Sequence, residues 1–122
     1  MIFTKIDTVI VRVANIESAQ AWYEEKLDLV PNFWDDGQKI VVMETGGDAS
    51  LTLWQRGPDT GPASPAKSGS YASFFAEDIE TAHRLLTGRG VDAGDIEWNA
   101  EGEGAWFGFT DPDGNWMEIC TY

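Results

Sequence analysis

The sequence predicts an α+β fold: two tandem βαβββ modules forming a curved mixed sheet around a cleft. The first observation behind it is an internal duplication. Thr8-Val-Ile-Val-Arg-Val-Ala-Asn-Ile-Glu-Ser-Ala-Gln-Ala returns as Tyr71-Ala-Ser-Phe-Phe-Ala-Glu-Asp-Ile-Glu-Thr-Ala-His-Arg, carrying position 8 to 71 and 16 to 79 at a constant offset of 63 residues. The second is that each copy reads as a strand entering a capped helix. The third is residues 56–69, a breaker-rich stretch holding three of the five prolines, which reads as a linker. Two copies are too few for a solenoid, which needs three or more stacked units. One domain over 1–122 follows, with module 1 at about 1–56, module 2 at about 70–122 and a cleft where the halves meet, a common place for small ligands.

Taken in order, Thr4 to Val13 alternates, with Val9, Val11 and Val13 on one face and Thr8, Ile10 and Arg12 on the other. Asn15 is placed to cap a helix whose stripe is Ala19, Trp22, Tyr23 and Leu27. Pro31 and Asp35-Asp36-Gly37 open a hairpin returning along Lys39 to Glu44, and Gly46-Gly47-Asp48 turns into a strand from Ala49 to Gln55. The second half predicts a strand over Ser70–Ala76, a helix from Ile79 to Thr87 capped by Asp78 and stopped by Gly88-Arg89-Gly90, and strands near Ile96–Asn99, Ala105–Thr110 and Asn115–Thr121. Glu101-Gly-Glu-Gly104 and Asp111-Pro-Asp-Gly114 supply the last loop and turn.

Composition narrows the function. The chain has 122 residues, enough to bury roughly two-thirds of the surface its unfolded form exposes. One cysteine and one histidine exclude an internal disulfide and a Cys/His zinc cluster. No apolar run approaches the ~20 residues of a membrane span, and no signal peptide is read, so a cytoplasmic location is expected. A net charge of −13 disfavours nucleic acid and anionic membrane surfaces as partners and favours cationic ligands.

The paired halves, the Asn/Asp-Ile-Glu-x-Ala helix openings and the closing hairpin Phe107-Gly-Phe-Thr-Asp-Pro-Asp-Gly-Asn-Trp-Met-Glu118-Ile resemble the vicinal oxygen chelate superfamily. That superfamily includes glyoxalase I, extradiol dioxygenases, fosfomycin-modifying enzymes and bleomycin resistance proteins, and the resemblance implies the glyoxalase/bleomycin resistance fold. Its enzymes hold a divalent metal with ligands on the first, fourth, fifth and eighth strands, positions that fall on Thr8, Thr52, Tyr71 and Glu118 of this chain. Of these only Glu118 is a good ligand, since hard cations need several oxygen anions or carbonyls and softer ones want imidazole or thiolate. No metal and no other cofactor is therefore expected. The resemblance also implies a homodimer.

Strand parity then fills the cleft. With Glu118 facing it, Trp116 and Cys120 follow, while Met117 and Ile119 turn to the helices. The same rule sends Trp54 with Thr52, and Ser73 and Phe75 with Tyr71, to the cavity, with Trp106 and Trp34 as further lining residues. Such a box of rings with one acid suits a flat or cationic guest. Arg12 either clamps an anion bidentately, as its place implies by resemblance to the glyoxalases, or pairs with an acidic neighbour. The leading expectation is a metal-independent small-molecule binding protein of the antibiotic-resistance kind, sequestering an aromatic or cationic compound without acting as an enzyme. The alternative is a glyoxalase-type lyase or isomerase with Glu118 as base, Tyr71 as its proton-transfer partner and Arg12 as anion anchor.

Overall fold

The computed structural model describes residues 1–57 and 69–122. The chain divides into two compact units, Met1–Ala63 and Ser64–Tyr122. Most of the expected linker, from 58 to 68, lies outside the described residues.

In the first unit the elements run β1 (Thr8–Val13), α1 (Ile16–Leu27), β2 (Val30–Asp35), β3 (Ile40–Glu44) and β4 (Ser50–Gln55). Their sheet has the order β1-β4-β3-β2, with β1 parallel to β4 and the other pairs antiparallel. Alternation is as the sequence predicts. Val11, Val13, Val41, Met43, Leu51 and Leu53 are buried on the face that packs α1, which contributes Ile16, Ala19 and Tyr23. Each of the valines, leucines, Ile16 and Met43 contributes about 1.5–3 kcal/mol through burial, before the entropy of ordering it is set against the gain. Trp22 is half-buried against Tyr23, edge to face at 5.0 Å.

The first strand begins at Thr8 rather than Thr4. β4 starts opposite it at Ser50, whose N–H donates to the Asp7 carbonyl, and upstream of that bond the residues have no strand to pair with and are exposed. Asn15 caps α1 by accepting from the Ser18 N–H. Pro31 lies within the edge strand β2, where its missing N–H costs no ladder bond between central strands. The pairing with β3 slips by one residue between Pro31 and Phe33.

The second unit repeats the plan: β5 (Ser73–Phe75), α2 (Ile79–Gly88), β6 (Asp92–Ala93), β7 (Glu97–Trp98), β8 (Ala105–Thr110) and β9 (Trp116–Thr121). Its sheet is ordered β5-β9-β8-β6, and β7 also pairs with β8. β5 is parallel to β9, matching β1 and β4. Although β5 is short, bonds from Glu118 N–H to the Ala72 carbonyl and from Ala76 N–H to the Cys120 carbonyl extend its ladder at both ends. Phe107, Phe109, Ala105 and Met117 are buried on the face packing α2, together with Ile79, Leu86 and Val91.

The α2 stop takes the form the Gly88-Arg89-Gly90 run implies. Gly90 sits at φ 82°, its N–H reaches the Thr87 carbonyl, and the Val91 N–H reaches Leu86, a paired closure that buries Val91 beside Leu86. The sequence reading lacks β6, so its seventh and eighth strands are β8 and β9 here. No helix among the described residues is long and apolar enough to cross a membrane.

Candidate functional site

The face of the second sheet turned away from α2 carries Trp106, Gly108 and Thr110 of β8 beside Cys120, Glu118 and Trp116 of β9. β5 adds Ser73 opposite Glu118 and Phe75 opposite Cys120. Over this face opens a pocket of about 460 Å³, lined by Tyr71, Trp106 and Trp116, by Asp95, Glu97 and Glu118, and by Gly94 and Gly108. All eight belong to the second unit.

Each polar or aromatic group is fixed by a short-range cause. Glu118 stands on a central strand, and its Oε1 accepts from the Ser73 hydroxyl at 3.0 Å. Trp106 lies directly opposite Glu97, and its indole N–H donates to Glu97 Oε2 at 2.9 Å. Trp116 lies diagonally across β8. A Cβ built on Gly108 would fall among its ring atoms, 2.7 Å from Cε2 and nearer still to Cζ2 and Cη2. The missing side chain at Gly108 is thus what lets the indole rest over the sheet. Gly94 joins by its backbone, its N–H bonded to the Gly108 carbonyl at 2.8 Å and its carbonyl 2.8 Å from His83 Nε2. His83 itself stays on the helix side, edge-on to Phe107 at 4.9 Å.

The structure brings together four of the sequence-predicted site residues, Tyr71, Trp106, Trp116 and Glu118. Phe75 shares their face but lies off the pocket, packed against Tyr122 at 4.8 Å. Thr52, Trp54 and Arg12 share one face of the first unit's sheet. There the Thr52 hydroxyl is 2.7 Å from that of Thr8, which donates to the Ser50 carbonyl at 3.1 Å. With the single Thr8 hydrogen engaged on Ser50, Thr52 is the donor to Thr8. Arg12 is held by the carbonyls of Trp54 (3.2 Å) and Gln55 (3.3 Å), its guanidinium 4.4 Å from the centroid of the Trp54 ring. Such a placement gives it a structural task on β4 that the anion-anchor reading did not include.

Trp34 departs from expectation. It pairs with Val41, on the face that packs α1, and its indole N–H donates to Gln20 of that helix at 3.2 Å. Phe33, one residue earlier, pairs with Val42 and so shares the face of Thr52. The slip between Pro31 and Phe33 breaks the simple two-residue count along β2 and makes its parity unreadable from sequence.

Sequence reasoning missed Asp95, Glu97, Gly94 and Gly108 as lining residues. Only Gly108 had a signal, a glycine inside the otherwise aromatic strand Phe107-Gly-Phe109, which marks a close approach. Glu97 is recognisable only once the β7–β8 register is known.

The donor set does not fit a divalent metal. Thr8 and Thr52 close on each other, Tyr71 offers a phenol, and Glu118 is the single carboxylate among the four positions. The three pocket acids do not gather into a ligating cluster, and no group of three or more His, Cys, Asp or Glu placed to hold a metal occurs among the described residues.

Known structures share this architecture. A member of the glyoxalase/bleomycin resistance protein/dioxygenase superfamily from Sphaerobacter thermophilus is 22% identical, with a TM-score of 0.84 over 100% of both chains. TnmS3, an antibiotic binding protein from a Streptomyces species, is 23% identical, with a TM-score of 0.77 over 99% of this chain and 98% of its own. An integron cassette protein from the mobile metagenome of V. cholerae is 26% identical, with a TM-score of 0.72 over 100% of this chain and 98% of its own. No curated protein matches the chain significantly. The family model for the Glyoxalase/Bleomycin resistance protein/Dioxygenase superfamily matches residues 5–119. With the duplicated topology and the closing hairpin in place, the chain belongs to the glyoxalase/bleomycin resistance protein/dioxygenase superfamily.

Proposed function

We propose that the protein binds a small, flat, cationic molecule in the pocket of its second unit and acts by holding it, without a metal. The observation that carries this reading is the pocket lining: three aromatic rings and three carboxylates, with no Lys, Arg or His among the described lining residues. Ring faces attract cations by about 0.5–2 kcal/mol according to how dry the contact is. Negative charge on the same wall adds Coulomb attraction and penalises anionic guests. Rings already fixed by Glu97 and by the Gly108 gap lose little freedom when a guest arrives. The fold likeness to TnmS3, an antibiotic binding protein, supports holding a compound as a sufficient role for such a domain.

Titration of the full chain with N-methylquinolinium, neutral quinoline and a naphthalene sulfonate, read by tryptophan fluorescence and melting temperature, tests the proposal. The expected order of affinity is cation, then neutral, then anion, unchanged by a metal chelator, with the tightest binder raising the melting temperature by mass action. Trp116→Ala weakens cation binding by ~1–3 kcal/mol, the range measured for flat bases stacked on aromatic side chains. Saturable binding that disappears with chelator, or preference for the anion, sinks the reading.

A further inference from the structure

We infer that Glu97 is a positioning residue: its carboxylate holds the Trp106 indole in the pocket wall, and the guest's positive charge is left to Glu118. This deepens the function proposed above and rests on it. An indole has one hydrogen-bond donor. Trp106 gives that donor to Glu97 Oε2 at 2.9 Å, from the directly opposed position across the β7–β8 ladder. A bond to a charged acceptor is stronger than one between neutral groups. The ring it fixes is large and 39% exposed, so without the tie it gains rotational freedom that a guest must then remove.

Glu118 is held differently. It stands on β9 between β5 and β8, and the Ser73 hydroxyl engages only Oε1, which leaves Oε2 as an acceptor for a guest. Both glutamates line the pocket, but one is bonded to an indole of the wall and the other to the small hydroxyl of Ser73 on the neighbouring strand β5. Removing the charge of Glu97 while keeping an oxygen in place should therefore preserve the wall. Removing the charge of Glu118 should alter which guests are preferred.

The test compares Glu97→Gln, Glu97→Ala, Trp106→Phe and Glu118→Gln in the full chain, with N-methylquinolinium and neutral quinoline as probes. Glu97→Ala is expected to weaken both probes by about the same factor, roughly five- to tenfold, because lost pre-organisation is indifferent to guest charge. Glu97→Gln, whose amide oxygen still accepts from the indole, keeps both within about twofold. Glu118→Gln lowers only the cation, by about tenfold. In a Trp106→Phe background, Glu97→Ala has no further effect, since the cycle isolates their coupling. The Trp106 indole N–H resonance, assigned by its loss in Trp106→Phe, shifts in the ligand-free Glu97→Ala protein and stays near its wild-type position in Glu97→Gln. Intact wild-type binding in which Glu97→Gln selectively loses the cation, leaving quinoline unchanged, overturns the inference. A wild-type protein that binds neither probe overturns the function reading instead, so the two failures are told apart.

Discussion

Gly108 shows how much of this site depends on one absent side chain. The Trp116 ring occupies the space where a Cβ would stand, and β8 is hydrogen-bonded on both sides, so neither backbone nor indole has an easy retreat. Gly108→Ala is therefore expected to destabilise the protein by about 1–3 kcal/mol through overpacking and to abolish binding of N-methylquinolinium by displacing the ring. Gly47→Ala is the control, because nothing lies within 4 Å of a Cβ there. Thermal melts and near-ultraviolet circular dichroism of the two variants check it; equal effects would remove Gly108 from the site. At this scale the sequence was legible where side chains alternate without interruption. Trp116, Glu118 and Trp106 share a face as predicted because β8 and β9 pair without a slip. Trp34 did not follow, because the bulge in β2 resets the count, and Glu97 stayed hidden because its importance arises from a pairing partner nine residues away.

Helix ends were the most legible elements, since capping is local chemistry between neighbours. Asn15 and Asp78 both accept from the N–H three residues on, Ser18 and Thr81 respectively. A very short strand was the least legible. β6 holds two residues, too few for any alternation to show, and exists because β8 offers it an edge, whereas β7, Glu97–Trp98, falls within the strand expected near Ile96–Asn99. The two caps differ in a measurable way. The backbone N–H of Thr81, followed by its side chain, holds the Asp78 carboxyl below its usual value of 3.8, whereas Asn15 does not titrate. A group whose folded pKa is lowered contributes stability that is full above the unfolded value and lost as pH falls through the folded one. The melting-temperature gap between wild type and Asp78→Ala should therefore be constant near neutrality, shrink as pH drops below about 4, and be smallest near pH 2. Asn15→Ala should cost about 1 kcal/mol throughout that range. A gap for Asp78→Ala that fails to narrow in acid would mean the cap acts through something other than its charge.

For the whole molecule, the duplication conserved topology and let the faces diverge. Strand order β1-β4-β3-β2 repeats as β5-β9-β8-β6, yet Thr8 and Thr52 close on each other in the first unit while Glu118 lines an acidic, aromatic pocket in the second. That divergence sits on a chain of net charge −13, whose field acts on a guest well beyond the carboxylates of the pocket wall. Salt separates the two contributions, because the Debye length falls from about 10 Å at 0.1 M to about 3 Å at 1 M. The long-range part should vanish over that interval, whereas ring stacking should persist. Affinity for N-methylquinolinium is thus expected to fall severalfold and then level off, its association rate falling more steeply than its dissociation rate rises, as for electrostatically steered encounters. Neutral quinoline should change little. The plateau that remains measures the rings and the nearby acids, and Glu118→Gln should lower it for the cation alone. Stopped-flow fluorescence across the salt series reads both rates directly. A cation affinity indifferent to salt would leave the acidity of the chain without a part in capture and assign recognition to the rings alone.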